Sequence, residues 1–314
     1  MHVVVLAGGV GAARFLTGLL EVVAPEDVTA IVNTGDDTIF HGLHVSPDLD
    51  TVTYTLAGAI NPETGWGLVG ESWNVMDGLR RYESAGALTW FNLGDRDLAT
   101  HLFRTDQLHR GAKLSEVTDA IRRAWNVGVR LLPMTDDRVA TSVATAEGVL
   151  GFQEYFVGRH HDVAVTEVIL DGIASARPAP GVLAAIAAAD AIVVAPSNPL
   201  VSIGPVLAVP GVRAAIEARR SIVCAVSPII AGAALKGPAD RMLAELGHEA
   251  SALGVARLYA SLCSTLVIDD ADAALAPSIE AAGVHAVVTD TIMARPGVGA
   301  SLAVACLAAC GVRL

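Results

Sequence analysis

The chain is expected to adopt a doubly wound, mostly parallel α/β (Rossmann-like) fold carrying a mainly helical insertion. Three observations lead there. Short, nearly uninterrupted apolar runs at residues 3–7 and 28–33 flank a segment in which Phe15, Leu16, Leu19, Leu20 and Val23 recur at helical spacing, which is a β-α-β unit. Strands without polar alternation belong to a parallel sheet covered on both faces. The same alternation returns after residue 190, whereas the stretch between is more charged.

Taken in order, the first strand ends in glycines and the second in Asn33. Pro47-Asp48-Leu49-Asp50 opens a helix continued by Thr51, Val52 and Tyr54. Residues 97–134 read as helical, with Ser115 a suitable N-cap for a helix over 116–126 that places Val117, Ile121 and Trp125 on one face. Residues 139–157 alternate like a hairpin turning at Glu147-Gly148. Strands are then expected at 191–195, 221–226, 265–268 and 285–289, and helices at 204–218, 240–245 and 298–310. Residues 1–97 and 158–314 are assigned to the α/β core, and 98–157 to the helical insertion plus hairpin. Such folds bind ligands at the carboxyl ends of their strands, where the chain changes direction.

Composition narrows the classes. With 314 residues, 53% of them apolar and 17% charged, the chain can bury a large core. A formal charge of −12 argues against a nucleic-acid partner. An anionic ligand must therefore be met by local dipoles, a few basic side chains or a metal. The four cysteines (Cys224, Cys263, Cys306, Cys310) form no C-x-x-C pair and read as small core residues in a reducing compartment. No basic leader precedes the first strand, and the apolar stretch 181–195 contains Asp190 and is too short to span a bilayer. A cytoplasmic, soluble protein with no membrane partner is expected.

Gly8, Gly9, Val10, Gly11 and Arg14 follow the first strand, where glycine amides at a helix N-terminus suit phosphate. The pattern lacks the third glycine of the dinucleotide fingerprint and the Lys-Ser/Thr of a P-loop. The glycines alone also suit a tight turn without any ligand. Asp36, Asp37, Asp48 and Asp50 lie within fifteen positions of an otherwise apolar chain. One of them can serve as an N-cap, but four such carboxylates repel one another unless a cation offsets them. A shared Mg²⁺ site with Asp48 and Asp50 as ligands is the expectation, because hard cations prefer oxygen donors.

Trp90, Phe91 and Asn92 precede Asp95 and Asp97, with His101 and Arg104 one helical turn apart. In a chain with only 4% aromatics they suggest a stacking surface and an anion contact, although buried aromatics are more often core. Ser197, Asn198, Ser202 and Gly204 after one core strand, and Ser227 and Lys236 after the next, form two further polar turns. Three such turns on consecutive strands point to one shared cleft. The chain has no G-x-S-x-G, no H-E-x-x-H and no neighbouring Cys and His, so hydrolase triads and zinc proteases fit poorly.

These motifs together resemble the 2-phospho-L-lactate transferase family of coenzyme F-420 biosynthesis. The resemblance spans nearly the whole chain. It is carried by residues 8–14, NTGDD at 33–37, SPDLDTV at 46–52, LGDRDLATH at 93–101, LPMTDD at 132–137, PSNP at 196–199, SIGP at 202–205 and SPII at 227–230. It implies a Mg²⁺-dependent enzyme that moves a phospholactyl group from a guanosine diphospho-donor to the ribityl hydroxyl of the deazaflavin Fo, releasing GMP. Actinobacterial members resemble users of the phosphoenolpyruvate-derived donor, and the Ala- and Arg-rich, Lys-poor composition leans that way. The family's Fo-contacting aspartate falls on Asp50, its second, usually basic Fo position on Asn92, and a basic residue of the turn on Arg14. Trp90, His101 and Arg104 are assigned to the Fo side and Asp50 or Asp37 to proton acceptance. Gly8, Gly9, Val10, Gly11, Arg14, Ser197, Asn198, Ser202, Gly204, Ser227 and Lys236 are assigned to the nucleotide. A homodimer is the expected assembly. The rival reading is a non-catalytic, nucleotide-sugar-binding regulator of similar fold; a sugar nucleotidyltransferase would need a lysine soon after the turn, and none occurs before Lys113.

Overall fold

A computed structural model describes residues 1–313. Seven parallel strands form the central sheet: β1 (Val3–Ala7), β2 (Val28–Val32), β3 (Arg130–Pro133), β7 (Ala191–Val194), β8 (Val223–Val226), β9 (Thr265–Ile268) and β10 (His285–Val288). Their order is β10-β9-β8-β7-β1-β2-β3, so the chain reverses its direction of winding between β1 and β7. β1 is wholly buried, and its residues alternate between two cores. Val4 and Leu6 pack with Ile31, Ile192 and Val194 on one face, and Val3, Val5 and Ala7 with Ala30, Val32 and Val193 on the other. This two-sided burial is the reason the strands carry no polar alternation.

Helix α1 (Gly9–Leu19) leaves β1 directly and lies on the second face beside α2 (Pro47–Leu56) and the closing helix α5 (Val298–Ala309). α1 and α5 cross with their backbones nearly touching: a Cβ at Gly18 would lie 2.3 Å from the Gly299 carbonyl carbon. Helices α3 (Asp97–His109) and α4 (Leu114–Ala124) stand between β2 and β3, with Val117 and Ile121 of α4 buried. A three-stranded antiparallel sheet of β4 (Ala140–Thr145), β5 (Gly148–Gly151) and β6 (Val165–Asp171) follows, in the order β5-β4-β6. Among the described residues no helix is long and apolar enough to cross a membrane.

The parallel sheet, its first β-α-β unit and the hairpin are where the sequence places them. Three details differ. Residues 130–133, expected within a helical stretch, form the sheet's edge strand, with Val32 opposite Pro133. An edge is where a proline, lacking an N–H, is tolerated. Ser115 is not the cap of α4, which begins after Lys113; the Lys113 N–H donates to Glu116 (2.8 Å) and the Ser115 hydroxyl donates to Asp136 (2.9 Å). The expected helix over 204–218 is two helices, Gly204–Ala208 and Val212–Glu217, interrupted at Pro210-Gly211, where Gly211 has φ +89°.

Candidate functional site

A cavity of about 700 Å³ opens at the carboxyl ends of β1, β7 and β8. Its floor is the turn from β1 into α1. Gly9 takes φ +66°, a conformation natural to glycine. The flanking glycines are required by neighbours: a Cβ at Gly11 would lie 2.2 Å from the Pro196 carbonyl oxygen, and one at Gly8 2.5 Å from the Ser202 Cβ. The Ser197 hydroxyl donates to the Gly8 carbonyl (2.7 Å), which joins the loop after β7 to this turn. The N-cap residue Gly8 offers no capping side chain, and apart from the Gly9 backbone, which faces Asp48, the first N–H groups and the positive end of the dipole remain available to an anion.

Beside the turn lie buried carboxylates. Asn33, just beyond β2, donates through its amide nitrogen both to Asp36 (3.2 Å) and to Asp48 (2.9 Å). Gln153 adds a second donor to Asp36 (3.3 Å). Burial raises the Asp48 carboxyl to about 6, against the lowering effect of Asn33 and the Gly9 backbone. Burial, then the charges of Asp48 and Asp37, hold Asp36 well above the usual carboxylate range. Two desolvated carboxyls sharing one amide are short of positive charge, and oxygen donors of this kind fit a hard divalent cation. Asp37 lies outside the cavity lining; it accepts from the Ser46 hydroxyl (2.6 Å), and burial raises its carboxyl as well.

Asp50 lines the cavity but faces α3 beneath it. Both terminal nitrogens of Arg104 contact its two oxygens, one of them at 3.1 Å. Arg104 is fully buried and absent from the cavity wall, so the anion it meets is Asp50 and not a bound substrate. Burial would lower its guanidinium, and Asp50 outweighs this and raises it. His101 stands beside the pair, 3.7 Å from Asp50 and 3.3 Å from Asp97, and the Tyr54 hydroxyl donates to Asp97 (2.5 Å). With Arg104 on both its oxygens, Asp50 is less suited to a metal than Asp48.

The remaining walls are aromatic and basic. Phe91 and Trp66 line one side, and Phe152, Phe156 and His161 another, the last three stacked or tilted on one another. Trp90 does not reach the cavity; it packs edge-on against Phe40 at 5.0 Å, while Phe91, stacked on Phe40 at 4.2 Å, does. Asn92 is in the wall. Lys236 donates to the Thr64 carbonyl (2.7 Å), and burial and nearby Arg14 lower its ammonium. Arg14, exposed on α1, makes no ion pair among the described residues.

Of the residues assigned to the nucleotide, Gly8, Gly9, Val10, Gly11, Arg14, Ser197, Asn198, Ser202, Ser227 and Lys236 all line the cavity, and Gly204 does not. Asn198 uses its side-chain oxygen on the Leu200 (2.9 Å) and Val201 (3.4 Å) amides, and the Ser227 hydroxyl closes its own turn with Ile229. Sequence reasoning gave no role to Asn33, Gln153, Tyr54 or the pair Phe152 and Phe156. Only Tyr54, four residues after Asp50 on one helix face, and Asp97, four before His101, carried a usable spacing signal. The four cysteines are buried and unpaired, as core residues.

Residues 3–304 match the family model of "2-phospho-L-lactate transferase CofD". A phosphoenolpyruvate transferase of Kitasatospora aureofaciens is 48% identical over 290 residues, covering 90% of each chain. One of Nocardia farcinica is 43% identical over 92% of this chain and 90% of its own, and one of Mycobacterium tuberculosis 41% identical over 86% of each. The crystal structure of protein BH3568 from Bacillus halodurans superposes with a TM-score of 0.61 at 17% identity, covering 98% of this chain and 99% of that one, which supports the fold alone. The chain therefore belongs to the 2-phospho-L-lactate transferase CofD family.

Proposed function

We propose that this protein transfers a phosphoenolpyruvyl group, or its 2-phospholactyl counterpart, from a guanosine diphospho-donor to the primary hydroxyl of Fo. The products are GMP and (dehydro) coenzyme F-420-0. One observation carries the reading. A single cavity joins the uncapped N-terminus of α1, the buried pair Asp36 and Asp48, and an Arg104-held Asp50, all between aromatic walls. The names of the actinobacterial relatives favour the phosphoenolpyruvyl donor.

In this reading the amides of Val10 and Gly11, with that of Gly9 shared with Asp48, bind the donor's diphosphate, and Arg14 and Lys236 supply positive charge at the mouth. Asp48, with Asp36 beside it, would hold Mg²⁺, which when bound offsets the charge of the diphosphate. Asp50 orients the acceptor hydroxyl and takes its proton as the oxygen–phosphorus bond forms and the bond to GMP breaks. Phe91 and Trp66, or Phe152 and Phe156, offer flat faces for the two ring systems. Alignment and charge neutralisation supply most of the rate. The test is incubation with Fo, each guanosine diphospho-donor and Mg²⁺, followed by quantitation of GMP and of the acceptor's mass gain. Binding of nucleotide without GMP release from either donor would favour the regulator reading and reject this one.

A further inference from the structure

Along one wall of the cavity, α2 and α3 are joined by a ring of polar groups, of which Asp50, Tyr54, Asp97 and His101 reach the lining and Arg104 does not. Asp50 and Tyr54 come from one face of α2; Asp97, His101 and Arg104 come from one face of α3. Arg104 contacts both oxygens of Asp50, and its Nη1 also lies 3.3 Å from His101 Nδ1. A guanidinium only donates, so in this contact Nδ1 is the accepting nitrogen. Nε2 lies 3.3 Å from Asp97, a charge contact whose geometry is not that of a hydrogen bond, and Asp97 accepts the Tyr54 hydroxyl at 2.5 Å. One carboxyl oxygen each from Asp50 and Asp97 and a His101 nitrogen lie within 4.8 Å of one another, a set that could be read as a metal site. The geometry argues otherwise. The guanidinium already supplies the cation, and each imidazole nitrogen is turned to a different protein group.

We infer that Asp97 and Tyr54 are positioning residues for Asp50, acting through His101: they fix the imidazole that stands against the Arg104–Asp50 pair and so set the direction of the carboxylate presented to the acceptor. This rests on the proposed role of Asp50. Neither Asp97 nor Tyr54 was assigned a function from the sequence, and the Tyr54 hydroxyl proton is already engaged by Asp97. A ring that only fastened two helices together would affect donor and acceptor alike. A positioning ring affects the acceptor side first, because Asp48, although on the same helix α2, is held by Asn33, and the α1 turn is held by Ser197, neither of which belongs to the ring.

Asp97→Asn and Tyr54→Phe test this, each replacing a side chain with one of nearly equal shape. Steady-state kinetics with Fo varied at saturating donor, direct titration with GDP and Mg²⁺, and thermal unfolding are measured for both. The expected result is a fall in kcat/KM for Fo on the order of 10- to 100-fold, with GDP affinity kept within about twofold, as for loss of alignment. Tyr54→Phe, which leaves the carboxylate in place, shows the smaller loss. Unchanged acceptor kinetics in Asp97→Asn, or equal losses of donor and acceptor affinity with a lowered Tm, overturn the inference while wild-type turnover keeps the functional reading intact. A wild-type protein that releases no GMP overturns both.

Discussion

Replacing Asp48 with asparagine is expected to stabilise the metal-free protein at pH 8 while removing its response to Mg²⁺ and nucleotide. The Asp48 carboxyl is buried, and it is raised from 3.8 to about 6. Keeping it ionised therefore costs up to about 3 kcal/mol at pH 8, at about 1.4 kcal/mol per unit. Asparagine removes the charge and can still accept from Asn33, but it remains a buried polar group, so a gain of about 1–3 kcal/mol is expected. For 314 residues the unfolding entropy is about 0.7 kcal/mol per degree, which converts this gain to a Tm rise of about 2–5 °C. The sign follows from proton linkage. The native carboxyl holds its proton more tightly than the unfolded one, so the contribution of Asp48 to stability is greatest below pH 3.8 and is lost as pH rises through about 6. The variant's advantage is thus full at pH 8, about half as large at pH 5 and absent near pH 3. Adding Mg²⁺ and GDP at about 100 times Kd should then stabilise the wild type by about 2.7 kcal/mol and the variant by far less, which cancels or reverses the variant's lead in melting temperature. Thermal scans at the three pH values, with EDTA and then with ligand, test each part. A variant less stable than wild type at pH 8 in EDTA, or an advantage that does not change with pH, would refute the reasoning.

Arg104→Met should destabilise the protein by about 3–5 kcal/mol in urea unfolding, because it leaves the buried Asp50 charge without its partner; the double variant with Asp50→Asn should recover much of this. Gly11→Ala sets a Cβ 2.2 Å from the Pro196 carbonyl, so the two loops must part. Isothermal titration should then show GDP affinity reduced by about 10-fold or more, with a smaller change for Gly67→Ala, whose Cβ would meet open space even though its φ of +69° strains any side chain.

The sheet was legible because a parallel strand buried on both faces writes its environment into the sequence as a continuous apolar run, as Val3–Ala7 and Thr265–Ile268 do. Edge strand β3 was not, since Arg130-Leu131-Leu132-Pro133 is short, begins exposed and follows a helix. The glycine turn, the acidic pairs and the polar loops after β7 and β8 were recognisable as motifs, and they do meet in one cavity. What each side chain does there was harder to read. Arg104 pairs with a carboxylate 54 positions away, and Asn33 reaches past nearby Asp36 to Asp48 15 positions on, and neither long-range contact has a local signature. Trp90 and Phe91 are adjacent, yet only Phe91 reaches the cavity, because neighbours on an irregular segment point in different directions.

The joint between the first glycine turn and the loop after β7 has a mechanical consequence. Pro196 sits against Gly11, Ser202 against Gly8, and the Ser197 hydroxyl is bonded to the Gly8 carbonyl, so the two loops move as one block. A block of that kind cannot adjust itself to an incoming molecule. Accommodation of differently shaped donors must come instead from the opposite rim, where the Thr64–Lys236 link is the sole side-chain hydrogen bond that Lys236 makes among the described residues. Rigidity and adaptability are therefore housed in separate parts of the pocket, and natural variation in donor preference should accumulate along that rim rather than on the glycines.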